Sequence, residues 1–166
     1  AEAEAVRERY RTADDAVRDL EQQIEGLEKQ VNADYGPGHR FATLAKECVE
    51  FKPGGEFSYE LCPYKDANQK NSQGTPTLVG TWEGFGEGGD YKTMKFGGGA
   101  YCWNAAARTL TVSLICAKEN RILGVEEPEV CKYSMRLETA AARDDDDAAA
   151  AKADLEALSA PAHDEL

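Results

Sequence analysis

Several kinds of protein are excluded by what this chain lacks. It has no run of about 18 apolar residues, so no segment is suited to cross a bilayer as a helix and no membrane partner is expected. Its basic residues do not cluster. Residues 35–140 hold 13 Asp and Glu against 12 Lys and Arg, while the flanks hold the other 18 acids and 7 bases, for a net charge of −12. A near-neutral middle with acidic arms is a poor polyanion binder, because nucleic-acid affinity rests on clustered Lys and Arg neutralising phosphates. Histidine is scarce, two in all, and no cysteine pair has CxxC spacing, so neither a zinc site nor any other cofactor is expected. The opening residues, AEAEAVRERY, are acidic and helical and contain no apolar core of a secretory signal.

The other terminus is informative. His163-Asp164-Glu165-Leu166 matches the retrieval tag read by a receptor that returns proteins to the lumen of the endoplasmic reticulum. Five cysteines fit that oxidising compartment. A lumenal chain without an entry signal is expected to be the C-terminal part of a larger secretory-pathway protein, or its mature form.

Three textures succeed one another along the chain. Over 1–33, Tyr10, Val17, Ile24 and Val31 fall seven apart, and Val6, Ala13, Leu20 and Leu27 fill the second position of a heptad. So narrow a seam predicts a coiled coil, intra- or intermolecular, with a single docked helix as the alternative. The segment NADYGPG stops the helix. From 35 to 140 the texture is β. Apolar alternation over Glu56–Leu61, Thr109–Cys116 and Cys131–Leu137, separated by Gly- and Pro-rich turns, predicts a small antiparallel flattened barrel or sandwich. The glycines of Gly84–Gly89 and Gly97–Gly99 predict long mobile loops over it. Residues 141–162 are Ala- and Asp-rich and read as a solvated tether for the tag at 163–166. The acid run Asp144–Asp147 lacks the spaced ligands of a calcium loop.

All five cysteines lie in the β region and read as a disulfide framework with one thiol left over. Cys48 and Cys62 flank the turn Pro53-Gly54-Gly55 and are placed to bridge a hairpin. The residues leave the other three open.

The motifs Tyr35-Gly36-Pro37, Cys48, Leu61-Cys62-Pro63-Tyr64-Lys65, Gln69-Lys70, Gly80-Thr81-Trp82, Cys102-Trp103, Cys116, Glu127-Pro128 and Cys131-Lys132-Tyr133, in that order, resemble a mannose 6-phosphate receptor homology (MRH) domain. Among such domains the segment is most similar to those of the glucosidase II β-subunit family. The resemblance implies a lectin fold and four side chains that read one mannose. Gln69 matches by lying seven residues after Cys62, Arg108 by lying eight before Cys116, Glu127 by preceding Pro128, and Tyr133 by following Cys131 at two residues. It also implies disulfides Cys48–Cys62 and Cys102–Cys131 with Cys116 free, since the family's sixth cysteine has no counterpart near Ala142-Arg143.

The four side chains suit a sugar on chemical grounds alone. Arg108 shares the parity of Leu110, Val112 and Leu114, so its guanidinium faces the apolar side of its strand and needs acceptors there, with Glu127 a candidate. Gln69 both donates and accepts, Arg108 donates a planar fork, Glu127 accepts, and Tyr133 adds a hydroxyl on a rigid ring. Taken singly, the Arg–Glu pair reads as structural, Tyr133 as core and Gln69 as a loop residue. Trp82, Trp103 and Phe85 are candidates either for stacking on a sugar face or for core anchors. No second acid joins Glu127 in the carboxylate pair that a glycosidase needs.

The expected function is a non-catalytic lectin subunit. It binds mannose of high-mannose N-glycans and promotes glucose trimming by the catalytic α-subunit of glucosidase II. The alternative is a lumenal lectin that routes misfolded glycoproteins to degradation.

Overall fold

A computed structural model describes residues 2–103 and 106–143, with residues 149, 152, 153 and 155 beyond them. The acid run Asp144–Asp147 and the tag His163–Leu166 lie outside the described residues. Contacts divide the chain into two compact units, Ala1–Tyr35 and Gly36–Leu166.

The first unit is one helix, α1 (Glu2–Val31). Glu2 and Glu4 sit in its first turn and Lys29 in its last, each complementing the helix dipole. Ion pairs four residues apart, Asp14–Arg18 at 2.8 Å and Glu25–Lys29 at 2.7 Å, staple its polar faces. The Lys29 ammonium bound to Glu25 holds that carboxyl below its usual range. None of the residues of α1 is buried. Past its end, the Tyr35 hydroxyl donates to the Gln30 carbonyl at 2.7 Å.

The second unit is built on one sheet of eight strands: β1 (Val49–Phe51), β2 (Ser58–Cys62), β3 (Asp66–Lys70), β4 (Pro76–Phe85), β5 (Thr93–Gly98), β6 (Thr109–Cys116), β7 (Arg121–Glu129) and β8 (Lys132–Thr139). The spatial order is β1-β2-β3-β4-β5-β6-β8-β7. The edge strands β1 and β7 come within 8 Å of each other, so the twisted sheet curls into a nearly closed barrel. Side chains of alternate residues fill it: Leu61, Val79, Met94, Phe96, Leu110, Val112, Ile122, Met135 and Leu137 are all essentially buried. Phe41 and Leu44, from the segment before β1, join this core.

Three expectations need correction. The sheet is antiparallel except for β6 and β8, which run parallel in register from Thr109↔Lys132 to Cys116↔Thr139. The cause is the tight β7–β8 hairpin, which places β8 between β6 and β7. The glycine-rich stretches are only in part loops: β4 runs through Gly84 and β5 through Gly97 and Gly98, while Gly86–Gly89 form the connection between the two strands. Close packing needs a glycine at Gly80 and Gly99. A β-carbon on Gly80 would sit 2.8 Å from the backbone of Phe96 on the neighbouring strand. The run expected at Glu56–Leu61 begins two residues later, leaving Phe57 partly exposed in the β1–β2 turn.

Candidate functional site

Topology gathers the four candidate side chains at one end of the barrel. Gln69 lies near the C-terminal end of β3. Arg108 immediately precedes β6, Tyr133 is at the start of β8, and Glu127 is near the end of β7. Given the strand directions, these positions share one rim. They also share a face. Gln69 has the parity of core residue Ala67 on β3, Arg108 that of Leu110, and Tyr133 that of Met135.

Gln69 pairs across the sheet with Tyr59, whose hydroxyl accepts from the Gln69 amide nitrogen at 3.0 Å. That bond fixes the plane of the amide and so orients its oxygen as an acceptor and its second N–H as a donor. Next door, Lys70 reaches Glu60 at 2.8 Å, and this hydrogen bond raises the lysine above its ordinary pKa.

Arg108 is gripped from behind. Its Nη1 donates to the carbonyls of Ala100 at 3.1 Å and Tyr101 at 3.2 Å. Its backbone locks into the same loop, with the Gly99 amide bonded to its carbonyl and its own amide bonded to Ala100. Only glycine fits at 99, because a β-carbon would lie 2.8 Å from that of Arg108. The Nε of Arg108 is buried and has no hydrogen-bond partner. An unmatched buried donor of this kind costs about 1–3 kcal/mol unless something accepts from it.

Glu127 is not the partner of Arg108, contrary to the expectation above. Its carboxylate accepts from the Cys131 amide at 2.6 Å, within the β7–β8 hairpin. The local sequence explains this. Pro128 has no N–H to offer the ladder, so Glu127 and Pro128 fall in a bulge between the paired residues Glu126 and Glu129, and the bulge re-aims the glutamate. Cys131 takes a left-handed backbone (φ 65°) at the turn, where the Glu127 carboxylate holds its N–H. The carbonyl of Cys131 then accepts from Thr109, next to Arg108.

Tyr133 is 6% exposed and packs with the core beside Leu110. Its hydroxyl has no hydrogen-bond partner among the described residues. The rim therefore offers a buried unmatched N–H, an oriented amide oxygen, a carboxylate and a phenol.

Of the two disulfides, one lies at this rim and the other at the opposite end of the barrel. Cys48–Cys62 joins the segment before β1 to the end of β2. Cys102–Cys131 ties the loop that grips Arg108 to the turn that presents Glu127 and Tyr133. Cys116 is a free, exposed thiol. Trp82 sits in an aromatic cluster with Tyr64, Phe85 and Phe96 and serves the core. Trp103, next to Cys102, is 88% exposed. A depression of about 260 Å³ lies on the same rim between the β1–β2 turn and Asn71-Ser72, and none of the four residues lines it.

The site owes two features to groups that sequence reasoning passed over. Tyr59 carries the parity of Leu61, but its role depends on the β2–β3 register, which no local pattern encodes. The carbonyls of Ala100 and Tyr101 carry no side-chain signal at all.

Residues 6–164 match the family model for glucosidase II beta subunit-like proteins. The glucosidase 2 subunit beta of Oryza sativa subsp. indica is 35% identical over 167 residues, spanning 100% of this chain and 26% of the relative. That of Homo sapiens is 38% identical over 117 residues, or 69% of this chain and 22% of the relative. The chain thus spans about a quarter of the length of the curated relatives it matches. The crystal structure of the MRH domain of glucosidase II beta bound to mannose is similar with a TM-score of 0.51 at 26% identity, covering 61% of this chain and 98% of that one.

Proposed function

This chain belongs to the glucosidase II beta subunit-like family, and from that premise we propose that it is a non-catalytic lectin module reading one mannose residue of high-mannose N-glycans. The observation that carries the reading is the buried, unpartnered Nε of Arg108 on the rim shared with Gln69, Glu127 and Tyr133. A sugar hydroxyl satisfies that donor, while the Gln69 oxygen and the Glu127 carboxylate take the hydroxyl protons. Isomers without the matching hydroxyl geometry leave these groups unpaired and are rejected. The mannose in the related crystal structure supports the choice of sugar.

In the cell, the module brings N-glycans to the catalytic α-subunit of glucosidase II and promotes the removal of glucose. Its compartment is the lumen of the endoplasmic reticulum, with His163–Leu166 engaging the retrieval receptor. A single polar site on a rim binds weakly, and attachment to an enzyme compensates by raising the local glycan concentration.

Glycan-array binding of the wild-type chain beside Gln69→Ala tests the reading. Binding to high-mannose glycans that the folded variant loses supports the pocket. Equal binding by the two proteins, or none by a folded wild type, contradicts it.

A further inference from the structure

We infer that the segment before β1, residues 36–48, is a strap that holds shut the one unpaired gap in the barrel, and that Arg40 and Glu47 within it are positioning residues for the sugar site at the far rim. The strap stands on geometry, and its effect on the site rests on the lectin reading.

The gap exists because the sheet does not close on itself. β1 and β7 end the strand order, so no ladder joins them among the described residues, although they come within 8 Å. The site straddles this gap. Gln69 sits on β3, two strands in from the β1 edge, while Glu127 is on β7 and Tyr133 on β8. The shorter way round the barrel from Gln69 to Glu127 therefore crosses the gap, and its width sets how far apart the two acceptors stand. Neither disulfide spans it. Cys48–Cys62 lies on the β1–β2 side, and Cys102–Cys131 joins the loop before β6 to the β7–β8 turn.

The strap crosses at the base of the gap. On one side it is covalently fixed, through Cys48 to the end of β2. In the middle, Phe41 and Leu44 are sunk in the core. On the other side its bonds are polar and reach 73 and 103 residues along the chain. The Glu47 carboxylate accepts from Asn120 Nδ2 at 3.3 Å, immediately before β7. Arg40 Nη1 donates to the Arg143 carbonyl at 2.6 Å, just past β8. The arginine is aimed by two rings, its guanidinium carbon lying 5.1 Å from the centroid of Phe41 and 5.9 Å from that of Tyr91. Glycine at 36 lets the strap lie close, since a β-carbon there would meet the Phe41 ring at 2.7 Å. β7 and β8 form one hairpin, so a shift at its base is carried to the turn that presents Glu127 and Tyr133.

Spin labels on Glu50→Cys and Glu126→Cys, at exposed positions of β1 and β7, read the gap directly in a Cys116→Ser background. In Arg40→Met/Glu47→Ala, which keeps an apolar stem over the rings, the distance between labels should lengthen and broaden. Mannose affinity of the unlabelled double variant should fall about threefold. Arg40→Lys, which keeps a cationic donor, should hold the wild-type spacing and affinity. Should the double variant not fold, Glu47→Ala alone, at an exposed position, carries the same prediction in smaller measure. An unchanged label distance in the folded variant overturns the strap. A widened gap with unchanged mannose affinity overturns the positioning role. If the folded wild type binds no mannose, the lectin reading fails and the positioning role with it, while the label distance still decides the strap.

Discussion

Arg108 shows how a charged side chain can sit on the apolar face of a strand. Two of its bonds go to main-chain carbonyls, which cannot titrate or rotate away, and the remaining buried donor is left for a ligand. Gln69 is oriented in the same way by Tyr59. Tyr59→Phe should therefore cost the fold no more than about 1 kcal/mol, the net worth of one hydrogen bond. It should weaken mannose binding by up to about tenfold through the loosened amide. Calorimetric titration beside thermal unfolding separates the two effects, and unchanged affinity would remove Tyr59 from the site. The family resemblance singled out Gln69, Arg108, Glu127 and Tyr133, and the strand order brings them to one rim. Neither Tyr59 nor the target of Glu127 was legible, because each depends on register or on a bulge. Glu127 was expected beside Arg108 on charge alone, and Pro128 turned it toward the Cys131 amide instead.

At the scale of elements, strands with clean alternation, such as β6 and β8, could be read from sequence. The glycine-rich β4 and β5 could not, because glycines interrupt their alternation, Gly80 for close packing on Phe96. The parallel β6–β8 pair was hidden for a similar reason, since it follows from where the β7–β8 hairpin docks.

The disulfide Cys102–Cys131 joins two site-bearing segments, whereas Cys48–Cys62 joins two that only support β2. Losing either by paired Cys→Ser substitution should cost about 3–4 kcal/mol from loop closure. Only loss of Cys102–Cys131 should weaken mannose binding in the protein that remains folded. Equal affinities in the two variants would show that the bridge serves stability alone.

On β1 and β2, Glu50 and Glu60 stand directly opposite, an unfavourable arrangement relieved by Lys52 and Lys70 at 2.8 Å each. The Lys52 hydrogen bond holds Glu50 below the usual carboxylate range. A depressed carboxylate stabilises the fold above its unfolded pKa and loses that contribution as pH falls through its folded one. Raised Lys70 contributes below the ordinary lysine range and loses its contribution above it. Lys70→Met should therefore lower the melting temperature at neutral pH. The deficit should shrink as pH falls through the lowered range in which Glu50, whose charge Lys70 also favours, takes up its proton. A deficit that persists in acid would point to lost packing instead.

At the scale of the whole molecule, the two units divide the labour. The helix carries an exposed apolar seam, and the barrel carries a polar rim for a neutral ligand. The separation of charge in the sequence foreshadowed this, with a near-neutral middle and acidic flanks. Among the described residues no helix is long and apolar enough to cross a membrane.

The central claim is that a sugar completes the hydrogen bonding of Arg108. The most direct measurement is the nitrogen–proton NMR signal of the Arg108 side-chain Nε–H, assigned through its loss in Arg108→Lys and followed as mannose and then galactose are added. A saturable shift with mannose and none with galactose is the predicted result. A signal that ignores mannose while the protein remains folded would contradict the account.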